Sequence, residues 1–378
     1  MNVLLISTVG HNPGDDFVRL GQQHLLARLA PCRFTVVHKH DPRTLFEGFV
    51  RRRRTPHRLI APLLYRVHAR ITRSRNLLAD ADLVVFAGTP FIWRQQTRLF
   101  PSTSANAEWV GPTWGKLLTE FPDKLLFNLA AGSSLNASQS PSTIVKDETL
   151  AAFLRRAVCR AAVTTARDRL TASILADLGC IVPVLPCTSL WAARGAGLEP
   201  RAPAYVAVNV MPKAVHGARG KATAEGAWKP VITEVIHWLS ARHRVRLLCH
   251  SRDELRLAQE WFPQHEAAFP SSALELLNEY GAALYTVGNR VHGAAGAASF
   301  GRPALGIGGD SRVALLTEFG LPTLNAMGLA AAGIIHECQK IESDYGRFVD
   351  RLRQVSAEAE REYVRLLEAP LHRLQAAD

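Results

Sequence analysis

An Arg-x-His pair, Arg290 and His292, stands between an apolar run that ends at Gly288 and a small-residue segment from Gly293 to Ser299. A second apolar run, Pro303 to Ile307, breaks into Gly308-Gly309-Asp310-Ser311-Arg312. Guanidinium groups bind carboxylate or phosphate through paired hydrogen bonds, and an imidazole titrates near neutral pH. A helix N-terminus beside them adds the positive end of its dipole. Arg290, His292 and Arg312 therefore read as a site for a small phosphorylated or carboxylated molecule. His250, followed by Ser251-Arg252-Asp253, places another imidazole at the end of an apolar run. Near the start, Asn12-Pro13-Gly14-Asp15 follows the first apolar run, and Asp15 supplies a carboxylate able to take a proton from a hydroxyl. Arg167-Asp168 closes another run in the same way.

Those residues need elements to hold them. Short apolar runs at Val3 to Ser7, Arg33 to Val37, Leu83 to Ala87, Lys124 to Leu129 and Val163 to Ala166 read as strands. Phe17, Leu20, Gly21, His24, Leu25 and Leu29 recur at helical spacing, and Ala151 to Val163 and Ser173 to Leu178 also read as helices. Leu83 to Ala87 runs into the turn Gly88-Thr89-Pro90, and the run from Lys124 into Ala131-Gly132-Ser133-Ser134. A second alternation begins at Tyr205 and ends with the Arg-x-His segment. The expected fold is α/β, with two Rossmann-like domains facing a cleft (GT-B-like) and a C-terminal helix. Residues 1–190 form the first domain, residues 204–335 the second and residues 345–378 the amphipathic helix. Pro186 to Ala204, rich in Pro, Gly and Arg, reads as the linker.

The chain has 378 residues, 47% of them apolar and 21% charged, which suffices for two cores of ordinary size. With 45 basic and 33 acidic residues the formal charge is +12. Nine arginines, from Arg51 to Arg75, occupy a stretch without a carboxylate, and Leu59, Ile60, Leu63, Leu64, Val67 and Ile71 interleave with them. Such a segment suits an anionic membrane surface, although a solvated arginine-rich helix has the same pattern. The six cysteines are scattered with no C-x-x-C pair and read as small core residues in a reducing compartment. Met1 to Val9 lacks the charged start of a signal peptide, and no run is long enough to span a membrane. A cytoplasmic protein is expected, peripheral to the inner membrane if Arg51 to Arg75 binds lipid.

In their order these residues resemble the polysaccharide pyruvyl transferase family. The family's early Asn-x-Gly-Asp turn is matched by Asn12-Pro13-Gly14-Asp15, its strand ending in a glycine turn by Leu83 to Gly88, and its Arg-Asp pair by Arg167-Asp168. Its most specific motif, an Arg-x-His before a small-residue helix, Gly-x-Pro and a Gly-Asp turn, is matched by Arg290, His292, Gly301, Pro303 and Asp310. Ser311-Arg312 stands where the family often carries a Lys. The resemblance implies transfer of a pyruvyl group from phosphoenolpyruvate to a glycan or lipid-linked saccharide, with no cofactor and no metal. It implies Arg290 and Arg167 as donor clamps, His292 as acid or phosphate ligand, and Arg312 in place of the Lys. Asp15 becomes the base for the acceptor hydroxyl, with Asn12, Gly14 and Gly88 lining the site; His250, by its own place at a strand end, is expected to line the same cleft. The acceptor is expected on the first domain and the donor on the second.

Two other readings share the architecture: a nucleotide-sugar glycosyltransferase, and a non-catalytic polyanion-binding scaffold. Trp93, Trp109, Trp114, Tyr65 and Phe91 either stack on sugar rings or fill a core. The arginine run lacks the dense aromatics of a nucleic-acid stacking platform. No Walker loop, dinucleotide fingerprint after the first strand, H-E-x-x-H or G-x-S-x-G occurs, and no Cys/His cluster points to a metal.

Overall fold

Runs such as LVVFA, apolar on both faces, need cover on both sides, and helices supply it in a parallel sheet. The computed structural model describes residues 1–9, 12–39, 74–87, 91–93, 117–135, 141–213 and 225–376. Gly88, Tyr65, Trp109, Trp114 and Arg51 to Arg73 lie outside the described residues. In the first domain the strands are β1 (Asn2–Ser7), β2 (Arg33–His38), β3 (Leu83–Ala87), β4 (Ile92–Trp93), β5 (Leu125–Ala131), β6 (Ser133–Ser134) and β7 (Val163–Ala166). Its helices are α1 (Pro13–Ala27), α2 (Ser74–Asp80), α3 (Ser142–Val145), α4 (Glu148–Arg160) and α5 (Arg169–Asp177). Five strands form a parallel sheet in the order β2-β1-β3-β5-β7.

After a one-turn helix, α6 (Ala192–Gly195), the second domain runs β8 (Tyr205–Asn209), α7 (Glu225–Ser240), β9 (Val245–Leu248), α8 (Arg252–Trp261), β10 (Glu266–Ala268) and α9 (Ala273–Tyr280). It continues with β11 (Ala283–Gly288), α10 (Val291–Ala298), β12 (Ala304–Gly308), α11 (Ala314–Glu318) and β13 (Thr323–Asn325). Its six strands are also parallel, in the order β10-β9-β8-β11-β12-β13. Two helices close the chain, α12 (Ala331–Ser343) and the 31-residue α13 (Tyr345–Gln375).

The segment expected as a loose linker is a packed connector. Thr188–Trp191 forms a 3-10 turn that leads into α6, and Thr188, Ser189, Leu190 and Trp191 are all buried. The Thr188 hydroxyl donates to the Val18 carbonyl at 3.0 Å. Gly21 lets α1 lie directly on the connector, since a Cβ there would sit 1.6 Å from the Thr188 carbonyl oxygen. Trp191 in turn meets Tyr363 of α13 edge-on at 5.6 Å. A stretch rich in Pro and Gly thus has no helical period yet buries its first part, Cys187 to Ala193, while Glu199 to Ala204 stay exposed.

Helix α13 braces both domains. Leu352, Tyr363, Leu367 and Leu371 share one buried apolar cluster with Val3 and Leu25 of the first domain and Ala294 and Phe319 of the second. Two cysteines depart from the core reading: Cys159 is exposed and Cys32 half-buried, while the other four are buried. Phe91 is core, edge-on to Phe86 at 5.4 Å.

One carboxylate ties α13 to the connector. Glu360, buried, accepts from His24 Nε2 at 2.9 Å and Arg28 Nη1 at 2.5 Å through Oε1, and from Arg194 Nη1 at 2.9 Å through Oε2. Burial alone would raise its pKa, but the hydrogen bonds of His24 and Arg28 and the charges of Arg28 and Arg194 hold it below the ordinary 4.5. Its stabilisation is therefore complete above that value and is lost as pH falls through the depressed one. Arg28 and Arg194 are half-exposed, so the network is worth less than a fully buried one. Glu360→Gln should cost about 2 kcal/mol at pH 7 in urea unfolding, and the difference from wild type should shrink as pH falls through the depressed pKa.

Candidate active site

The carboxyl ends of both sheets face each other, which is where open α/β sheets bind ligands. Arg167 follows β7 directly, and its amide donates to the Ala131 carbonyl at 2.8 Å. Strand β5 shifts register against β7 between Asn128 and Ala131, and Ala130 takes φ of 58°. That conformation strains an L-residue, and it is held by the Ala130 amide donating to Thr165 Oγ1 at 2.8 Å. Thr165 Oγ1 is also within 3.2 Å of the Tyr363 hydroxyl, which donates to the Pro186 carbonyl at 3.1 Å. The bulge turns Gly132 beneath the Arg167 guanidinium, where a Cβ would lie 2.1 Å from Nε.

Arg167 is only 2% exposed, yet Nε and Nη2 are buried with no hydrogen-bond partner among the described residues. Asp168 does not supply one: its Oδ2 is 3.8 Å from Nε, while its Oδ1 accepts from Thr171 N at 2.7 Å and caps α5. Burial pushes the Asp168 carboxyl up, against the pull of the neighbouring Arg167. A guanidinium desolvated this far keeps donors that an acceptor-rich group could satisfy.

Opposite it, the second domain brings His292. Arg290 caps α10 without a side-chain bond, and His292 lies in the first turn, packed against Gly14. A Cβ on Gly14 would sit 2.2 Å from His292 Nδ1, so the first turn of α1 and the imidazole meet with no room to spare. His292 Nε2 is buried and has no partner among the described residues. Burial, then the charges of Arg167, Arg312 and Arg290, push this imidazole down to about 3. It is neutral at physiological pH, and three guanidiniums surround it.

The other two arginines are already paired. Arg312 forks onto Asp310, with Nε to Oδ1 at 2.9 Å and Nη2 to Oδ2 at 2.6 Å. Arg290 gives Nε to Glu254 Oε1 at 2.7 Å, and its Nη2 donates to the same oxygen. Ser311 beside them joins the domains: its amide donates to the Leu135 carbonyl at 2.9 Å, and its hydroxyl bonds the Leu135 amide at 2.9 Å and Ser133 Oγ at 3.0 Å. One layer deeper, Asn209 Nδ2 donates to the Leu248 carbonyl at 2.7 Å and to the Tyr280 hydroxyl at 2.8 Å. The Tyr280 hydroxyl is also hydrogen-bonded to His250 Nε2 at 2.7 Å. Burial, followed by the charges of Arg290 and His292, holds His250 well below 6.5.

Gly14, Arg167, Arg290, His292 and Arg312 therefore converge on one cradle to which both domains contribute. His250 lies behind it, joined through the Glu254 carboxylate, which accepts the His250 amide at 2.7 Å. Asn12 is the N-cap of α1 and accepts from Gly14 N at 3.2 Å. Asp15 does not sit on a strand-end turn: Pro13 starts the helix, and Asp15 is buried in its first turn. Gly132, Asn209, Glu254 and Tyr280 escape sequence reasoning. A small-residue turn after β5 was the one visible signal, for Gly132. Among the described residues no group of His, Cys, Asp or Glu could hold a metal ion, and no described helix is long and apolar enough to cross a membrane.

The sequence signature of polysaccharide pyruvyl transferases spans residues 12–311, from the α1 cap to the Ser311 junction. The chain belongs to the polysaccharide pyruvyl transferase family. Arg312 lies one residue past the match. No match is found among curated protein sequences. Among solved structures the chain is similar to S. aureus MnaA with UDP, at TM-score 0.56 and 12% identity over 98% of this chain and 97% of that one. It is similar also to the UDP-GlcNAc 2-epimerase of Neisseria meningitidis bound to UDP-GlcNAc, at TM-score 0.55 and 9% identity over 97% and 99%. At such identities the likeness is one of fold, the two-domain GT-B architecture.

The buried neutral His292 has a measurable consequence. An unfolded histidine titrates near 6.5, so between that value and about 3 the unfolded chain holds a proton that the folded chain excludes. Stability is full above pH 6.5 and falls as pH drops below it. His292→Gln should remove one proton's share of that slope, about 1.4 kcal/mol per pH unit, leaving the share of His250. Urea midpoints at pH 7.5 and 5.5 measure it, and a variant with the wild-type slope would show the imidazole already charged.

Proposed function

We propose that this protein transfers a pyruvyl group from phosphoenolpyruvate to hydroxyls of a glycan or glycolipid precursor. The observation that carries the reading is Arg167, buried with two guanidinium nitrogens that, like Nε2 of His292, have no hydrogen-bond partner among the described residues. Phosphoenolpyruvate is a compact anion with a charge at each end. Its phosphate suits Arg167 and His292, and its carboxylate suits Arg290 and Arg312.

A bound anion offsets the three guanidiniums and raises the His292 pKa toward its ordinary value. The imidazole then takes up a proton and can deliver it to the donor's methylene carbon. The carbon bearing the phosphate oxygen becomes oxocarbenium-like, and an acceptor hydroxyl adds there. Its C–O bond to phosphate breaks, inorganic phosphate leaves on Arg167, and a second hydroxyl closes the ketal. Of the two hydroxyl protons, one balances that delivered to carbon and the other departs with phosphate. Asp15 is the first-domain carboxylate assigned to the acceptor hydroxyl, which places the acceptor on that side of the cleft.

A nucleotide-sugar reading is the alternative, since the similar structures carry UDP or UDP-GlcNAc. It is disfavoured because Glu254 and Asp310, carboxylates that could serve a ribose, are both filled by arginines. The discriminating experiment is thermal unfolding with phosphoenolpyruvate, UDP, GDP and CMP. Phosphoenolpyruvate at a hundred times its Kd should stabilise by about 2.7 kcal/mol, with none of the nucleotides doing so. Gly132→Ala, which drives Arg167 off its seat, should cut that affinity at least tenfold. A shift with a nucleotide alone would make the protein a glycosyltransferase.

The arginine-rich segment Arg51 to Arg75 fits a lipid-linked acceptor presented at an anionic membrane. Replacing Arg51 to Arg54 with Ser should weaken sedimentation with phosphatidylglycerol vesicles severalfold, and unchanged sedimentation would remove the membrane from the reading.

A further inference from the structure

Two helices of the second domain begin with the same four-residue pattern, and they use it differently. In α9, Ser272 caps the Glu275 amide at 3.1 Å, and Glu275 Oε2 returns to the Ser271 amide at 2.9 Å. In α8, Ser251 caps the Glu254 amide at 3.2 Å, and Glu254 Oε2 returns to the His250 amide at 2.7 Å. Both resemble capping boxes, with the Glu returning to the amide before the N-cap, a sufficient structural reason for a Glu at that position. Glu275 is exposed, as such residues usually are. Glu254 is 2% exposed, and its second oxygen takes two nitrogens of Arg290 from across the sheet.

A buried carboxylate is costly, and a helix cap does not need one. The excess is explained by what Glu254 does to Arg290. Side-on capture of Nε and Nη2 fixes the guanidinium plane and leaves Nη1 without a partner among the described residues, on a side chain 26% exposed. The carboxylate also removes one unit of positive charge from a cradle that already holds Arg167 and Arg312. Without it, Arg290 would be free to swing toward the most concentrated negative charge available, which is any phosphate.

We propose that Glu254 is the positioning residue that makes the site selective for a two-ended anion over inorganic phosphate. Resting on the anion-site reading above, it assigns Arg290 to the carboxylate end of the donor and keeps it from joining Arg167 on the phosphate. The same arrangement lets product phosphate leave, because only part of the cradle's charge is directed at it.

The test is calorimetric affinity for phosphoenolpyruvate and for inorganic phosphate, in wild type, Glu254→Gln, Glu254→Asp and Glu275→Gln. Glu254→Gln keeps the acceptor for the His250 amide but loses the charge, so phosphate should bind at least threefold tighter. Phosphoenolpyruvate should not gain, and the ratio of the two affinities should fall at least tenfold. A role confined to folding would weaken both ligands together. Glu254→Asp keeps the charge and retracts from Arg290; it should leave phosphate affinity unchanged and still lower the ratio, which covers the case of a Gln variant that fails to fold. Glu275→Gln should change neither. Wild-type binding of both ligands with an unaltered ratio in the Glu254 variants overturns the role of Glu254 alone. Absence of wild-type binding to either ligand overturns the anion site itself.

Discussion

Arg167, Arg290 and Arg312 repel one another, and the structure holds them around a single imidazole all the same. Much of the surrounding architecture exists to make that tolerable. Asp310 and Glu254 each neutralise one guanidinium, and His292 gives up its proton rather than add a fourth charge. Of the three, Arg167 is the one left buried with guanidinium nitrogens that have no hydrogen-bond partner among the described residues. On the proposed reading an anion would recover the cost of that arrangement, so affinity and strain would be two views of one charge distribution.

Such a cradle must be rigid, because an arginine able to reach water would relax out of it. Rigidity comes from contacts too close for any side chain. Gly132 backs Arg167, Gly14 backs His292, and Gly21 seats α1 on the connector. Helix α1 is thereby fixed at its N-terminus by the second domain and at its middle by the chain that links the two. The long C-terminal helix completes the frame. Its Tyr363 reaches Thr165, which secures the strained Ala130, and Ala130 carries the strand into Gly132. A residue near the end of the chain so bears on the position of Arg167.

The fold and most of the cradle were legible in the sequence because both follow local rules. Continuous apolar runs mark parallel strands, small residues mark the helix packed on them, and cations at strand ends mark the ligand side. What escaped depends on contacts between distant segments. Pro186 to Ala204 looks like a linker because its burial comes from α1 and α13, not from its own periodicity. Glu254 looks like a helix cap and is one; only the arrival of Arg290 from another strand gives it a second task. Asp15 looks like part of a turn because Asn12-Pro13-Gly14 is turn chemistry, yet Pro at the first helical position starts α1 sooner.

The distribution of carboxylates bears on what the cleft can receive. Sugar and ribose hydroxyls are commonly held by free carboxylate acceptors, and a diphosphate spreads its charge along a chain. Here Glu254 is committed to Arg290 and to a backbone amide and Asp310 to Arg312, while Asp168 caps α5 through Oδ1 and leaves Oδ2 3.8 Å from Arg167 Nε. The donors left over are nitrogens with no acceptor, on Arg167 and His292. Idle guanidinium and imidazole nitrogens suit a ligand rich in acceptors. A short molecule with a phosphate at one end and a carboxylate at the other has that character, and its hydroxyl-bearing partner must find its acceptors elsewhere in the cleft.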